Sequence, residues 1–464
     1  MPGLVLIDDD KDELDNIQAA FFKAGIPCLP IMYINDDPDN RTGIDHVEIS
    51  EFQPRIIITD LNLKEISNSD PRSLTPPIAD LLKKLVTTGP YLLFFWSKHN
   101  QQVEEVMRLL EERFSADIKL PLNWGCINKN EFKGIENIDI LKEKVKTLIT
   151  DFPLFHALFD WEFRIANAAI KTTNTLYELT YPSNVPEGTN YSEEHNQKLE
   201  QALSIIGNET LGSKNALENP SIALDSGLSP VLNDRLKTML SENSLWKNAV
   251  PSIGRYIQVT DEIKSALNSF YHIEEVNDNY PKTSRGVFVK LDCSILTNAQ
   301  KKQKFENRMG SSIKSIIHEE FINSRKGDAT QREEVRNSLI IGFVEVSAEC
   351  DQAQKKTKLH RYILAALIPS KYNEYTTFGE HDNRDRAHGG IYRLPQLKYK
   401  NENYILKLSF KYQLGTKPKS NVNNVEYENT WFGVPLLRLK EQILLDISFN
   451  CAHYSSRPGI VRFD

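Results

Sequence analysis

GLVLIDDD, at Gly3–Asp10, is the stretch that decides the fold. Its apolar run, Gly3–Ile7, is unbroken and stops at three consecutive aspartates. A strand buried on both faces of a parallel sheet has this continuous character, whereas a half-exposed strand alternates. Acidic residues at its C-terminal end then bring charge to the rim where open α/β sheets bind ligands. Working outward, Lys11–Gly25 places Leu14, Ile17, Phe21 and Phe22 at helical spacing and ends on glycine, which predicts a helix. A second strand is expected over Leu29–Ile34.

The same unit recurs downstream. Arg55–Thr59 is apolar and ends at Asp60; Tyr91–Trp96 is apolar and ends at Ser97; a weaker run, Trp124–Ile127, leads to Lys129. Helical spacing over Ile78–Leu85, Gln101–Phe114 and Ile138–Ile149 separates or closes these runs. Strands alternating with helices over residues 1–150 predict an α/β domain with a doubly wound, five-stranded parallel sheet. Asp8, Asp9, Asp60, Ser97 and Lys129 then share one rim. Three neighbouring carboxylates repel, and a divalent cation relieves that repulsion. Oxygen donors of this kind suit Mg²⁺, which bridges to phosphate. A carboxylate beside Mg²⁺ and a lysine ammonium can attack a phosphoryl donor, and a nearby hydroxyl can bond the acquired phosphoryl oxygen.

This set resembles the receiver domain of bacterial response regulators. The resemblance is carried by LIDDD (Leu6–Asp10), IIITDLNL (Ile56–Leu63), FFWS (Phe94–Ser97) and INK (Ile127–Lys129). It implies Asp60 as phospho-acceptor, Asp8 and Asp9 as the acid pair, and the Asn62 backbone carbonyl as a further metal ligand. Ser97 would be the switch hydroxyl and Lys129 the phosphate-contacting lysine. The sequence departs from the family pattern in three places. Asn130 follows Lys129 where a proline is usual, Asn35–Gln53 is a polar connection without a helical pattern, and Glu65–Pro77 reads as a long Ser/Pro-rich segment. The alternative is a receiver fold kept as a docking module.

Composition bounds the function classes. The chain has 464 residues, which suggests about three domains at roughly 150 residues each, or two with a large insertion. With 56 basic against 63 acidic residues, the net charge of −7 argues against a protein devoted to non-specific nucleic-acid or membrane-surface binding. The five cysteines are scattered without a CxxC pair, the apolar runs are too short to span a bilayer, and no secretory signal is read, so a cytoplasmic location is expected.

Residues 151–284 read as a helical connector domain. Phe155–Leu179 is one long amphipathic pattern, bounded by Pro153 and by Tyr181-Pro182. Such a helix could relay the state of the first domain or serve as a core helix of the next. Ser183–Glu193 reads as a loop, Leu199–Ile206 and Val231–Met239 as short helices with a polar stretch between, and Ile257–Tyr271 as another helix.

Residues 285–464 change to α+β. Strand character is expected at Gly286–Leu296, Ser338–Ser347, Tyr362–Pro369 and Asn403–Leu414, and helices over Lys302–Phe321 and Leu436–His453. The pattern suggests a small curved barrel or half-barrel. EVSAECDQAQKK (Glu345–Lys356), IYRLP (Ile391–Pro395) and SSRPGI (Ser455–Ile460) resemble turns of SH3-like barrel domains in plasmid-maintenance and phage-defence proteins. That resemblance implies a regulator in a bacterial antiviral defence locus, with a histidine-kinase-like or Hsp90-like ATPase as partner, and leaves homodimerisation open.

Two chemical readings compete with a regulatory role for this region. Cys350 with His360, His381 or His388 could form a metal site or a thiol nucleophile with its base, though a Cys-Asp turn more often only packs and caps. Arg384 and Arg386, with those histidines in GEHDNRDRAHGG (Gly379–Gly390), could serve RNA cleavage, against the plainer reading of a solvated loop. The basic runs Gln300–Lys304 and Lys355–Arg361 read as solvated faces. The expectation is therefore a phosphorylation- or docking-switched signalling protein that is not itself an enzyme. The alternative is an effector nuclease or other hydrolase under a non-phosphorylated receiver-like domain.

Overall fold

A computed structural model describes every residue other than 1–2, 24, 36–41, 49–52, 65–69, 98–99, 129–142, 144–145, 185–186, 189, 241, 349–350, 353–355, 379–388, 417–430 and 457–464. The chain divides into two compact units: Met1–Ala202 with Leu228–Tyr256, and Leu203–Gly227 with Ile257–Asp464.

The first unit is built on a five-stranded parallel sheet. Its strands are β1 (Gly3–Asp8), β2 (Leu29–Met32), β3 (Pro54–Asp60), β4 (Leu92–Trp96) and β5 (Asn123–Ile127), in the order β2-β1-β3-β4-β5. Every residue of β4 is buried, which explains its unbroken apolar run. The helices are α1 (Lys11–Lys23), α2 (Pro71–Leu85) and α3 (Asn100–Phe114). Leu14, Ile17 and Phe21 of α1 pack with Leu4, Leu6, Ile58 and Phe94 in one core; α2 and α3 share a second core with Val5, Ile57 and Leu93.

The stretch read as a Ser/Pro-rich connection is helical from Pro71. Asp70 caps it, its side chain accepting from the Arg72 N–H, and Pro71 occupies the first turn, where a missing N–H costs nothing. Pro76 and Pro77 lie inside the helix and masked its periodicity.

After β5, residues 146–150 are helical, and then α4 (Pro153–Leu179) begins where Pro153 predicts. Its first turn docks on the sheet: Phe155 is 1% exposed and joins the core formed by α1 and the β4–β5 face. Arg55, at the start of β3, holds Glu162 with two bonds of 2.9 Å. Farther along, Arg164 bonds Asp160 and the Met239 carbonyl. The C-terminal end of α4 carries Tyr177, which with Tyr181 and Tyr191 surrounds the buried imidazole of His195 at ring separations of 4.4–5.7 Å.

The helical region is more continuous than its polar sequence suggests. It continues through α5 (Tyr191–Leu211), α6 (Ser213–Glu218), α7 (Pro220–Thr238), α8 (Asn243–Ala249) and α9 (Asp261–His272). The polar stretch expected as a spacer thus includes α6, and α5 starts inside the expected loop.

The second unit carries an antiparallel sheet with the path β10-β12-β9-β8-β7-β13-β6, β11 pairing with β12 beside it. These strands are β6 (Ile273–Glu275), β7 (Val287–Leu291), β8 (Ile340–Glu345), β9 (His360–Pro369), β10 (Ile391–Arg393), β11 (Leu397–Tyr399), β12 (Glu402–Thr416) and β13 (Phe432–Leu439). Among the described residues no pairing joins β6 to β10, so the path is open. One face packs under α10 (Ala299–Met309), α11 (Ile313–Glu320) and α12 (Ala329–Ser338), the other under α13 (Glu441–Ser455).

Two expectations are corrected here. Lys302–Phe321 is two helices, not one, because Gly310 adopts the left-handed conformation (φ 73°) and Ser312 starts a new helix by accepting from the Ser315 N–H. Leu436–His453 is not a single helix either. Its first residues end β13, and the helix begins at Glu441.

Candidate metal centre

The sheet register creates the site. β1 and β3 pair Ile7 with Thr59, so Asp8 and Asp60 sit at the same level on adjacent strands. β3 and β4 pair Asp60 with Trp96, and β4 and β5 pair Trp96 with Ile127, so Ser97 and Asn128 follow at the same rim. In the order β2-β1-β3-β4-β5 the direction of winding reverses beside β1, which makes β1 and β3 the topological switch point, the ordinary ligand crevice of such sheets.

Carboxylate oxygens of Asp8, Asp9 and Asp60 all lie within 4.8 Å of one another. Asp8 is 1% exposed, while Asp9 and Asp60 are half-buried. Backbone amides orient two of them: the Asp10 N–H donates to Asp8 Oδ1 at 3.0 Å, and the Asn62 N–H donates to Asp60 Oδ2 at 3.1 Å. Such bonds help to fix the orientation of each carboxylate. Asp10, third in the acidic run, has a different task. Its side chain accepts from the Asp12 and Glu13 N–H groups and caps α1.

Two walls of the site escaped sequence reasoning. Tyr33 follows β2, is 3% exposed, and donates its N–H to the Asp8 carbonyl. Burial, followed by the charges of Asp80 and Asp9, pushes its phenol up to about 12, so it stays neutral beside the carboxylates. Gly43 makes this placement possible: a Cβ there would meet the Tyr33 ring at 2.1 Å. The only signal in the sequence was a glycine in a polar connection. Asn35 donates from Nδ2 to the Leu63 carbonyl at 2.7 Å, tying the segment after β2 to the one after β3.

The fold brings Asp8, Asp9 and Asp60 together and places Asn62 next to Asp60 through its backbone N–H. Ser97 is 5% exposed, and its N–H donates to the Ile127 carbonyl at 3.1 Å, which fixes it at the end of β4. Lys129 lies outside the described residues, as do Cys350, His381, Arg384, Arg386 and His388. His360, weighed above beside Cys350, contacts buried Glu345, Nδ1 to Oε1 at 3.1 Å; Glu345 also accepts from the Ser347 N–H.

Three carboxylates without a soft donor form an oxygen-only set that suits a hard divalent cation. Among the described residues no helix is long and apolar enough to cross a membrane. No protein-family model matches the chain, and no curated protein matches it at the level sought.

Proposed function

We propose that the first unit is a receiver-like switch in which Asp60 accepts a phosphoryl group. The observation that carries this reading is the convergence of Asp8, Asp9 and Asp60 within 4.8 Å at the switch point of the sheet. In support, the motifs fall at strand ends: the acid pair with Asp8 ending β1 and Asp9 following it, Asp60 ending β3, and the Ser97 hydroxyl just beyond β4.

Asp8, Asp9 and Asp60, with the Asn62 carbonyl, would hold Mg²⁺, which would neutralise charge on the phosphoryl oxygens. An Asp60 oxygen forms the bond to phosphorus as the donor's P–O bond breaks, and the electron pair leaves with the donor group. The Asn62 N–H steadies the second Asp60 oxygen during attack. Ser97 would bond the phosphoryl oxygen, and Lys129 would pair with it. The response then passes to a surface that docks a kinase-like ATPase partner. α4, anchored on the same sheet by Phe155 and Glu162, would carry it onward. The second unit is proposed as the output or docking module, its open sheet completing a small SH3-like barrel, and the setting as bacterial antiviral defence in the cytoplasm.

Trp96 reports on this site, because it pairs with Asp60 in the sheet and precedes Ser97. Beryllofluoride with Mg²⁺ should change the intrinsic fluorescence of the wild type and leave Asp60→Asn and Trp96→Phe unchanged. An identical change in Asp60→Asn would overturn the assignment.

A further inference from the structure

The second unit holds a cavity of about 510 Å³ between β7, β8, α11 and the C-terminal end of α12. That volume falls within the roughly 300–1,000 Å³ of small-molecule sites. Its charge is one-sided. Lys290, Lys302, Lys314 and Arg336 line it, and the described lining contains no aspartate or glutamate, in a chain whose net charge is −7. Lys290, Lys302 and Lys314 make no ion pair among the described residues.

Arg336 is the half-buried member of this set, beside three exposed lysines. Its side chain is 17% exposed, and its Nη2 pairs with Glu333 one turn back on α12. Its Nη1, however, is buried and meets no hydrogen-bond acceptor among the described residues. A buried donor without an acceptor is costly, and a guanidinium is shaped to hold a carboxylate or phosphate. The same cations act on His318, whose imidazole is held below its usual range by burial first and then by Arg336, Lys314 and Arg332.

Beside Cys293, Asn337 and Ser338, the uncharged part of the wall is mostly aliphatic. Leu291, Ile317, Leu339 and Ile341 form it, with Leu296 exposed at the edge, and no aromatic ring lines the cavity among the described residues. That composition favours a flexible hydrocarbon over a nucleobase, which would call for a stacking partner.

We infer that this cavity binds an amphipathic anion, an aliphatic chain ending in a carboxylate or phosphate, with the head group among Arg336 and the three lysines and the chain against the leucine and isoleucine wall. The inference does not rest on the aspartate site. Both the charged head and the aliphatic chain would contribute to the affinity.

Isothermal titration of the full chain tests it, with each amphiphile kept below its micelle-forming concentration. Decanoate and decyl phosphate should bind one per chain, and their relative affinities identify which head group the site prefers. Decanol and inorganic phosphate should each bind about tenfold or more weaker, lacking one half of the recognition. Arg336→Gln should weaken both anions about tenfold, the loss of a charge-assisted bond, and leave decanol unaffected. Lys314→Gln, on an exposed side chain, should weaken them by a smaller factor and guards against misfolding of the Arg336 variant. Decanol binding as tightly as decanoate, or wild-type affinity for decanoate in both variants, would overturn the assignment.

Discussion

Arg55 and Glu162 form a two-pronged ion pair, Nε to Oε2 and Nη2 to Oε1 each at 2.9 Å, that fastens α4 to the start of the strand ending in Asp60. The side chains are 19% and 32% exposed, so water screens the pair only in part. One strand therefore connects the candidate acceptor at one end with the helix anchor at the other.

Removing this anchor tests its weight. Glu162→Gln should lower the unfolding free energy by about 1 kcal/mol, the range of a well-aligned but partly solvated pair. Phe155→Ala, which empties a fully buried ring position, should cost about 3–5 kcal/mol. Urea denaturation of both variants checks the order. An equal loss for the two would mean that α4 is held by charge and not by its apolar first turn.

The aspartate cluster should weaken the fold when metal is absent. Asp60→Asn removes one of three repelling charges while keeping an oxygen to accept from the Asn62 N–H. In chelator at neutral pH the variant should be more stable than wild type by about 0.5–1.5 kcal/mol, as expected where function is set against stability. Adding Mg²⁺ should stabilise the wild type more than the variant. Urea midpoints with and without metal measure both effects, and a variant less stable than wild type in chelator would contradict the repulsion.

The second unit should lose stability on acidification. His272 ends α9 with its Nδ1 buried and without a hydrogen-bond partner among the described residues. Burial first, and Lys440 second, hold its imidazole below the usual 6.5. The unfolded chain therefore binds the proton more readily, and stability falls as pH drops from above 6.5 towards the depressed value. His272→Phe should flatten that fall by up to one proton, read from the slope of unfolding free energy against pH. An unchanged slope would place the titration elsewhere.

What could be read from the sequence follows from how each element is buried. β1, β3 and β4 are covered on both faces, so their apolar runs are unbroken, and the polar residues at their ends mark the rim. That is why Asp8, Asp9, Asp60 and Ser97 were readable. β13 was not, because Pro435 argues against an interior strand. The sheet accommodates it by shifting register on either side of Pro435 against β7. The four cations of the cavity in the second unit, spread over residues 290–336, meet only through tertiary packing, and no local pattern announces them.

Transfer of a phosphoryl group to Asp60 at a metal-bearing acidic cluster can be weighed by intact-protein mass spectrometry after incubation with acetyl phosphate. The wild type in Mg²⁺ should gain one phosphoryl group, and none should appear in chelator or on Asp60→Asn. A gain that persists on Asp60→Asn, or a wild type that binds Mg²⁺ yet takes up no phosphoryl group, would contradict it.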